Sequence, residues 1–514
     1  MLAAILIPVL TSRAASQPFQ AKHTFTVDVR DTSPISPYIY GANFVEWDKL
    51  PIAVTVNRLG GNRLTAYNWE TNASNAGNDW HHQNDNNMGD SNEPGWAIRN
   101  FLEPTQAHGA LALITIPTAG HVAADKKGDG DVNQTPDYID VRFNKSYAHK
   151  PGGNFAYPPD LNDKAVYEDE CVAWIEKIKK KSSPVWYILD NEPDIWASTH
   201  ARIVPKPLTY AQMVANNIDY ASAIKAVAPS ALVFGWASYG WGGYRTFQGA
   251  TDANGRDFLE FYLSSMKEAE AQHGKRLLDV LDLHWYPEAR GGGNRICDQQ
   301  NNAETDLARI QAPRSLWDSS YVEQSWICDS MGKKPIELLT RTNAQIAKCY
   351  PGTKLAINEY NYGGGKVISG AIAQADVLGL FGRYGVFVAC NWGLGPSDTA
   401  TIAGYNAFLN FDGRGSKFGD TGLKVSGEVP ALNSLYAARD SSKTGRITLV
   451  AINKTPQPDP MKVVIPGMST GKARAYAVTA DAMAKPVGID ATFENGAATF
   501  VAPPLSIVSI EVTK

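Results

Sequence analysis

Two stretches of the chain, Val185–Glu192 and Lys354–Glu359, each carry an apolar run that ends in the dipeptide Asn-Glu. Two carboxyl groups facing one cleft are the minimum apparatus for breaking a glycosidic bond, because one donates a proton to the leaving oxygen while the other attacks or stabilises the anomeric carbon. Repulsion between them helps to raise the pKa of the acid that stays protonated. The pattern therefore predicts Glu192 and Glu359 as a catalytic pair.

Each glutamate taken alone is best explained as a solvated loop acid. The joint pattern changes this interpretation, since Asn-Glu occurs only once more in the chain, at Asn92-Glu93, where no apolar run precedes it. A different class of function, carbohydrate binding without catalysis, predicts that one of the two carboxyls is missing, and both are present.

The surrounding elements repeat one pattern, in which short apolar runs end in polar or glycine clusters and alternate with helix-length segments. Apolar spacing predicts helices at Asp163–Lys180 and Tyr210–Val227, for example. This alternation indicates parallel strands joined by crossover helices. Eight runs over about 350 residues favour a (β/α)8 barrel, with an open doubly wound sheet as the alternative. The runs are Ile39–Phe44, Val56–Gly61, Leu111–Pro117, Trp186–Asn191, Leu232–Ala237, Val280–Trp285, Leu355–Glu359 and Phe387–Trp392.

In such a barrel, functional side chains lie where the C-terminal ends of the strands meet the following loops. Glu192 would end the fourth strand and Glu359 the seventh, so the two would face each other across the barrel mouth. An Asn-rich insertion, Asn68–Asn100, lies between the second and third strands. Its tryptophans, among them Trp69, favour a functional loop over a disordered one.

Beyond about Gly404 the helical periodicity fades, and short strands separated by Gly and Pro turns predict a small antiparallel β-sandwich. The alternation in Thr24–Val29 predicts an N-terminal strand that joins this sandwich. We therefore expect a catalytic barrel over residues 36–403 and a sandwich built from residues 17–35 and 404–514. The C-terminal strands are expected at Ile447–Asn453, Lys462–Ile465, Ala473–Thr479, Ala497–Val501 and Ile507–Val512.

The first residues, Met1–Ala14, form an apolar run that is too short to span a bilayer but has the length of a signal-peptide core. Ser12-Arg13-Ala14 supplies the small-x-small pattern of a cleavage site, although a basic segment before the run is missing. The sequence predicts export, with residues 1–16 as the signal peptide or its remnant. No later run is long enough to cross a membrane.

Composition excludes some classes of partner. The formal net charge of -4, from 48 basic and 52 acidic residues, gives no basic field for a phosphate backbone, so nucleic acid is a poor candidate. The 44% hydrophobic and 19% charged residues are typical of a well-packed globular chain. Five cysteines form no CxxC pair, which argues against a thiolate metal site. In an exported protein, Cys297 and Cys328 are the pair we expect to be bridged.

Six short motifs in a fixed order carry a family resemblance. Asn191-Glu192-Pro193, with a second glutamate on the seventh strand, resembles clan A of the glycoside hydrolases. The others narrow the resemblance to glycoside hydrolase family 44, endo-acting β-1,4-glucanases and xyloglucanases with a barrel and a β-sandwich. It covers nearly the whole chain after the leader. These further motifs are Asn57–Arg63, Asn68–Gly77, His284–Pro287, Asn358–Gly363 and Phe411–Gly413.

The resemblance implies a retaining double displacement with Glu192 as the acid/base, Glu359 as the nucleophile and carboxyls roughly 5 Å apart. It implies that Tyr286 orients Glu359 and that Arg58 keeps that carboxyl ionised by its fixed charge. Asn191 would hold the 2-hydroxyl of the sugar.

Further substrate contacts are expected around the pair. Trp392, at the end of the eighth strand, would be the platform under the sugar at the cleavage point, because aromatic faces suit the apolar faces of sugars. A core residue that caps the barrel is the alternative for this tryptophan. Trp69 is expected at the substrate, and His284 is expected as a hydrogen-bonding residue of the cleft wall.

A metal site is suggested by Glu70, Asp160 and Asp163, three hard oxygen ligands on neighbouring insertions, where the resemblance implies a structural calcium. The alternative is that Asp160 and Asp163 cap the helix that follows them. The chemistry itself requires no cofactor.

Together these features predict an exported, monomeric endo-β-1,4-glucanase that acts on soluble cellulose and xyloglucan, with no nucleic-acid or membrane partner. Another clan A hydrolase, a mannanase or xylanase, is the alternative, because loops around the pocket rather than strand residues select the sugar.

Overall fold

The computed structural model describes residues 19–298 and 300–514 of the chain. The predicted signal peptide, residues 1–16, lies outside the described residues. Within the described part, we find no helix with the length and apolar character needed to cross a membrane.

The described part of the chain folds around a closed barrel of eight parallel strands, which confirms the predicted fold class. All eight predicted runs overlap these strands. A first strand, β1 (His23–Pro34), precedes the barrel, whose strands are β2 (Gly41–Asn43), β3 (Val56–Leu59), β4 (Leu111–Ile116), β5 (Val185–Leu189), β6 (Val233–Ser238), β7 (Val280–Trp285), β8 (Lys354–Tyr360) and β9 (Val386–Asn391). Each strand pairs with the next, and β9 pairs with β2.

Helices surround this barrel. The longer ones are α1 (Trp96–Ala107), α2 (Glu168–Ile178), α3 (Tyr210–Val227), α4 (Phe258–His273), α5 (Ala303–Gln311), α6 (Leu338–Cys349), α7 (Ile368–Arg383) and α8 (Thr399–Leu409). Helix α3 has its predicted bounds because Thr209 and Gln212 form a capping box at its start. Helix α2 begins later than predicted, since Ala165–Tyr167 forms a short strand before it.

Shorter elements lie in the connections between the main strands and helices. Three small sheets pair Ser74–Asn75 with Asn84–Asp85, His121–Ala123 with Phe143–Tyr147 and Ala165–Tyr167, and Arg290–Gly291 with Asn294–Arg295. Short α-helical segments cover Asn62–Thr65, Tyr138–Val141, Trp196–Thr199, Trp241–Thr246 and Trp326–Ser330, and 3-10 turns cover Pro37–Ile39, Gly77–Asp79, Val132–Gln134, Pro151–Gly153, Pro193–Ile195, Ala312–Leu316 and Ala480–Ala482.

The C-terminal strands form the predicted β-sandwich with β1. They are β10 (Thr421–Ser426), β11 (Asn433–Arg439), β12 (Arg446–Asn453), β13 (Asp459–Val464), β14 (Lys472–Val478), β15 (Val487–Ile489), β16 (Ala491–Glu494), β17 (Ala497–Ala502) and β18 (Ser506–Thr513). Their order is β15-β14-β18-β12-β11-β10-β1-β13-β17-β16. The N-terminal strand β1 thus lies inside the sheet, antiparallel to β10 and parallel to β13. One face closes on a core that includes Phe25, Leu449 and Phe500.

The other face of the sandwich packs on α7 and α8. Tyr436, Ile452 and Ile507 belong to the same apolar core as the barrel helices. A buried ion pair joins Lys454 Nζ to Asp376 Oδ2 at 2.8 Å, and the Tyr436 hydroxyl donates to Asp376 Oδ1. The two parts therefore share a buried interface with one continuous apolar core.

Two details of the sequence prediction are wrong. Helix α8 runs through residue 404, so the barrel extends beyond the predicted boundary at 403. The expected bridge between Cys297 and Cys328 is not formed in the described structure: both thiols are free. The Cys297 Sγ donates instead to the carbonyl of Asn361, at 3.0 Å.

Candidate active site

The turn that follows β5 positions Glu192. Asp190 and Glu192 both adopt left-handed backbone angles, with φ values of 63° and 47°. Such angles are unfavourable for residues other than glycine and are found where the surroundings impose them, often at functional sites. The Glu192 N–H donates to the carbonyl of Ala237, and the Asp190 carboxylate accepts from Thr65 Oγ1 at 2.6 Å. These bonds direct Glu192 into the barrel mouth.

A β-bulge positions Glu359 at the end of β8. The pairing of β8 with both neighbouring strands shifts register around Asn358. Ile357 and Tyr360 pack outward among the helices, whereas Asn358 and Glu359 both contact residues of the barrel interior. The extra residue therefore turns Glu359 toward the mouth, which is a common use of a bulge next to an active site.

The two carboxyl groups meet at His284, which lies on β7 between them. His284 Nδ1 is 2.8 Å from Glu192 Oε1 and 3.5 Å from Glu359 Oε2. One polar atom from each of the three side chains falls within 4.8 Å of the others, and all three residues are buried. The carboxyls that the sequence placed on the fourth and seventh strands thus face each other at close range.

Arg58 and Tyr286 hold Glu359. Arg58 Nη1 donates to Glu359 Oε1 at 2.5 Å, and the Tyr286 hydroxyl donates to Glu359 Oε2 at 2.9 Å. Arg58 also donates to Asn43 Oδ1 and to Asn191 Oδ1, both at 2.9 Å. The guanidinium group thereby joins β2, β3, β8 and the turn after β5 into one network.

The environments displace the pKa values of the two glutamates in opposite directions. Burial raises the pKa of Glu192, and the charge of Glu359 adds to this, against the hydrogen bond and charge of His284. Burial also acts to raise the pKa of Glu359, but the charges of His284 and Arg58 and the hydrogen bonds from Arg58 and Tyr286 hold this pKa below its usual value. These directions favour the protonated form at Glu192 and the ionised form at Glu359.

Glycine at two positions permits this packing. A Cβ at Gly61 would lie 2.5 Å from the Trp392 ring, and its φ of +83° is itself a conformation that favours glycine. A Cβ at Gly60 would overlap the guanidinium group of Arg58. Glycine at both positions thus allows two site residues to approach the backbone closely.

Four residues that the sequence placed at the substrate are buried: Trp69, Arg58, His284 and Asn191. Trp69 is only 1% exposed and stacks on Trp174 of α2 with ring centroids 5.9 Å apart, so its prediction as a substrate contact is wrong. Arg58 and His284 are fully buried. They contact the carboxyls and leave no surface for a sugar, so both act behind the cleft surface.

Two other predicted contacts, Tyr286 and Trp392, are partly exposed at the mouth. Asn191 is only 2% exposed and lies beside Glu192, with its Nδ2 3.2 Å from Asn62 Oδ1. Their contacts with the sugar stay predictions.

Sequence reasoning missed Asn43 and Phe44. Asn43 fixes Arg58, and Phe44, which is 44% exposed, meets the Trp392 ring edge to face at 5.9 Å. The signal was present, because both residues end the first predicted barrel strand, Ile39–Phe44, at the end where functional side chains lie.

The predicted metal ligands lie away from the carboxyl pair. Glu70 is buried, and burial together with the charges of Asp163, Glu170 and Asp160 raises its pKa to about 8, with Lys150 opposing. A carboxyl cluster with so little positive charge suits a hard divalent cation such as calcium. Among the described residues, Glu170 Oε2 is also buried without a hydrogen-bond partner. The charges of these residues suit the implied ion, but in the described part of the chain only Glu192, His284 and Glu359 have ligand atoms within 4.8 Å of one another, so the predicted metal ligands are not gathered around one point.

Helix capping, the alternative for Asp160 and Asp163, is wrong. Helix α2 begins at Glu168, beyond the reach of either side chain. Both aspartates are exposed and instead accept hydrogen bonds from backbone N–H groups two residues further on, at Asn162 and Ala165.

The chain is similar in sequence to known glycoside hydrolases. The family model for glycoside hydrolase family 44 matches residues 73–289. The chain is 39% identical over 518 residues to "Endoglucanase A" of Paenibacillus lautus. This match covers 95% of this chain and 72% of that protein. It is 43% identical over 453 residues to "Beta-mannanase/endoglucanase A" of Caldicellulosiruptor saccharolyticus, but this match covers 82% of the chain and 33% of the relative, so the chain spans about a third of that protein.

Solved structures give the same result. A family 44 endoglucanase from Clostridium thermocellum superimposes with a TM-score of 0.88 at 38% identity, covering 95% of this chain and 100% of that one. A Paenibacillus polymyxa xyloglucanase of family 44, solved with xyloglucan, superimposes with a TM-score of 0.89 at 36% identity, covering 96% and 99%.

Proposed function

The chain belongs to glycoside hydrolase family 44, and we propose that it hydrolyses internal β-1,4-glucosidic bonds of soluble cellulose and xyloglucan with retention of configuration. The observation that supports this most directly is the pair of buried carboxyls at the ends of β5 and β8. Their polar atoms lie within 4.8 Å, and their pKa values are displaced in opposite directions.

In the proposed mechanism, Glu192 donates its proton to the glycosidic oxygen while a carboxylate oxygen of Glu359 attacks the anomeric carbon. The bond to the leaving sugar breaks as the ester to Glu359 forms. Glu192, now ionised, then takes a proton from a water molecule, whose oxygen attacks the same carbon and releases Glu359. The short separation supports a nucleophilic carboxylate over an attacking water held between the two groups, which needs a wider gap.

Arg58 and Tyr286 support the first step by keeping Glu359 ionised and fixed in position. When the ester forms, Glu359 loses its negative charge, and the repulsion that favours protonated Glu192 falls. Glu192 then becomes a better base for the second step.

The configuration of the first product tests the retaining mechanism. Proton NMR of a fresh digest is expected to show the β-anomer before mutarotation. An initial α-anomer would contradict the role of Glu359 as nucleophile.

Substrate choice is tested by reducing-sugar release from carboxymethylcellulose, xyloglucan, mannan and xylan, with Glu359→Gln as the blank. We expect release from the first two, consistent with the names of the relatives. Faster release from mannan would favour the alternative, which is suggested by the relative named as both mannanase and endoglucanase. Activity that survives Glu359→Gln would overturn the catalytic assignment.

We also propose that Glu70, Asp160 and Asp163 hold a structural calcium ion, which would supply positive charge to the buried acids and stabilise the insertion. Calcium is expected to raise the melting temperature of the wild type, and Glu70→Gln to remove most of that increase. Glu323→Gln, at a buried acid bonded to Ser315, is the matched control and should keep it. An equal response of all three proteins would contradict the site.

Export and a monomeric state are proposed for the whole protein on the basis of the N-terminal run and the family. Recovery of the protein from the culture medium without residues 1–16 would support export. Light scattering coupled to size exclusion measures the oligomeric state, and a dimer mass would contradict the second proposal.

A further inference from the structure

An exposed aromatic side chain follows β6 at the mouth of the barrel. Tyr239 comes directly after this strand, at the end where functional side chains lie in a parallel barrel. It is 49% exposed, although a tyrosine ring carries a large apolar surface. Neither the predicted substrate contacts nor the proposed catalytic cycle assigns it a role.

Two hydrogen bonds join the end of β6 to the turn that carries Glu192. The Glu192 N–H donates to the carbonyl of Ala237 at 2.9 Å, and the Tyr239 N–H donates to Asp194 Oδ1 at 3.1 Å. Tyr239 therefore lies next to the 3-10 turn Pro193–Ile195, which directly follows Glu192. The tyrosine is thus placed on the side of the proposed proton donor.

Asp194 is itself held in one position. It is only 5% exposed, and its Oδ2 accepts from Ser238 Oγ at 3.4 Å and from Gln248 Nε2 at 3.3 Å. A Cβ at Gly243 would overlap the Asp194 carboxylate, so the short helix after β6 packs closely on this group. The backbone at Tyr239 is therefore anchored by buried contacts.

Charged groups from two loops reach the Tyr239 hydroxyl. Partial burial raises the pKa of this hydroxyl, the charges of Glu192 and Glu288 add to this, and the charge of Arg295 opposes it. Arg295 belongs to the loop after β7, where it pairs with Glu288 at 2.7 Å and donates to the carbonyl of Tyr286 at 3.0 Å. Tyr239 therefore lies between the turn of Glu192 and the loop after β7, both of which border the mouth.

The aromatic side chains of the mouth lie next to different carboxyls. Trp392 directly follows β9 and meets Phe44 edge to face, and β9 pairs with β8, which carries Glu359. Tyr239 follows β6, which pairs with β5, the strand before Glu192. In a double displacement the nucleophile attacks the sugar that is retained, whereas the acid contacts the oxygen of the sugar that leaves. The aromatic ring beside the acid is therefore the one on the leaving side.

We propose that the Tyr239 ring is the platform for the first sugar on the leaving side of the cleaved bond, a glucosyl unit of a β-1,4-glucan. Aromatic faces suit the apolar faces of such sugars, and an anchored ring loses little freedom when the sugar binds. The contact uses the face of the ring and does not require the hydroxyl, and Asp194 is its positioning residue. This inference rests on the proposed function, in which Glu192 protonates the leaving oxygen.

Two substrates with different leaving groups test the platform. Carboxymethylcellulose places a sugar on the leaving side, whereas β-cellobiosyl fluoride places only a fluoride there. Tyr239→Ala is expected to lower kcat/KM on the polymer by about tenfold and to leave kcat/KM on cellobiosyl fluoride unchanged. Tyr239→Phe keeps the ring and should keep both values. Equal losses on the two substrates in Tyr239→Ala, or no loss on the polymer, would overturn the proposal.

Phe44→Ala is the matched variant on the other side of the mouth. The Phe44 ring contacts Trp392, which is predicted to lie under the retained sugar, and both substrates place a sugar there. We therefore expect the same proportional loss on carboxymethylcellulose and on cellobiosyl fluoride. A loss confined to the polymer in Phe44→Ala would overturn the assignment of Tyr239 to the leaving side.

Transfer to a sugar acceptor gives a second measurement, which a general structural change would not alter. The ester formed from β-cellobiosyl fluoride is open to attack by the 4-hydroxyl of added cellobiose in place of water. The hydroxyl proton passes to ionised Glu192, Glu359 is released, and cellotetraose forms. Tyr239→Ala should lower the ratio of cellotetraose to released fluoride by about tenfold, and Tyr239→Phe should keep it. An unchanged ratio in Tyr239→Ala would overturn the proposal.

Failure of the proposed function gives a different result. A wild type that releases neither reducing sugar from the polymer nor fluoride from cellobiosyl fluoride would contradict the proposed function, and this inference with it. A wild type that cleaves both substrates, with Tyr239→Ala equal to it on each, would overturn the role of Tyr239 alone.

Discussion

The ends of β5 and β8 carry the same dipeptide, yet they give their glutamates opposite character. After β5, a left-handed turn places Glu192 against His284, with burial as the dominant influence on its pKa. At the end of β8, a bulge turns Glu359 onto the guanidinium of Arg58 and the hydroxyl of Tyr286. The role of a carboxyl is therefore set by what faces it and not by its local sequence. Four substitutions test this difference, in order of expected effect.

Glu359→Gln should cause the largest loss, because no other group in the site can form the proposed ester. We expect kcat/KM on carboxymethylcellulose to fall by about 10⁵-fold. In Glu359→Gly, azide is expected to restore cleavage and to give an α-glycosyl azide. Formation of a β-azide would exchange the roles of the two glutamates.

Glu192→Gln should reduce polysaccharide hydrolysis by roughly 10²–10⁴-fold, because general acid catalysis contributes this much. An aryl glucoside with a good leaving group does not need the proton, so its first step should be nearly normal. The ratio of the two rates is the measurement. Equal losses on both substrates would contradict the acid role that distinguishes Glu192 from Glu359.

Arg58→Gln should lower kcat/KM by about 100-fold and move the acid limb of its pH profile to higher pH. The sign follows because the guanidinium lowers the pKa of Glu359, so its removal lets that carboxyl take up a proton at higher pH. Arg63→Gln, in the same segment but paired with Asp85, is the control. A limb that moves equally in both variants would show a general structural effect.

Tyr286→Phe should have the smallest effect, a decrease of about tenfold with a slight upward move of the acid limb, because one neutral hydrogen bond is lost while Arg58 remains. Tyr362→Phe removes a buried hydroxyl that accepts from Trp285 Nε1 and should leave the profile unchanged. A decrease as large as that of Arg58→Gln would mean that the fixed charge is not what distinguishes Glu359.

The barrel and the identity of the pair could be predicted because both depend on local patterns. Each barrel strand is a short apolar run, and polar residues follow where it leaves the core. Strand β11 lacks such a signal, because its buried residues include Asn433, Ser434 and two alanines, so it is neither a strongly apolar run nor an alternating one. Strand β10 has too few apolar residues to stand out.

Tertiary contacts explain what the sequence analysis missed at the site. Trp69 lies in a polar, Asn-rich loop whose composition predicts exposure to solvent. It is buried because Trp174 of α2 packs on it. The left-handed backbone angle of Glu192 and the bulge at Asn358 arise from pairing with neighbouring strands, so no local residue pattern predicts them. The depth of Arg58 and His284 behind the carboxyls likewise depends on the barrel closing around them.

The position of β1 within the sandwich has a consequence for the order of folding. His23 and Asp459 are 436 positions apart, yet their side chains hydrogen-bond at 2.8 Å. The whole barrel lies between them in the chain, so this sheet cannot be completed until almost all of the protein has been synthesised. Contacts of such long range form slowly because the connecting loop must first be closed. We therefore expect the barrel to gain structure first on the ribosome, with β1 as an unpaired strand until β10 and β13 emerge.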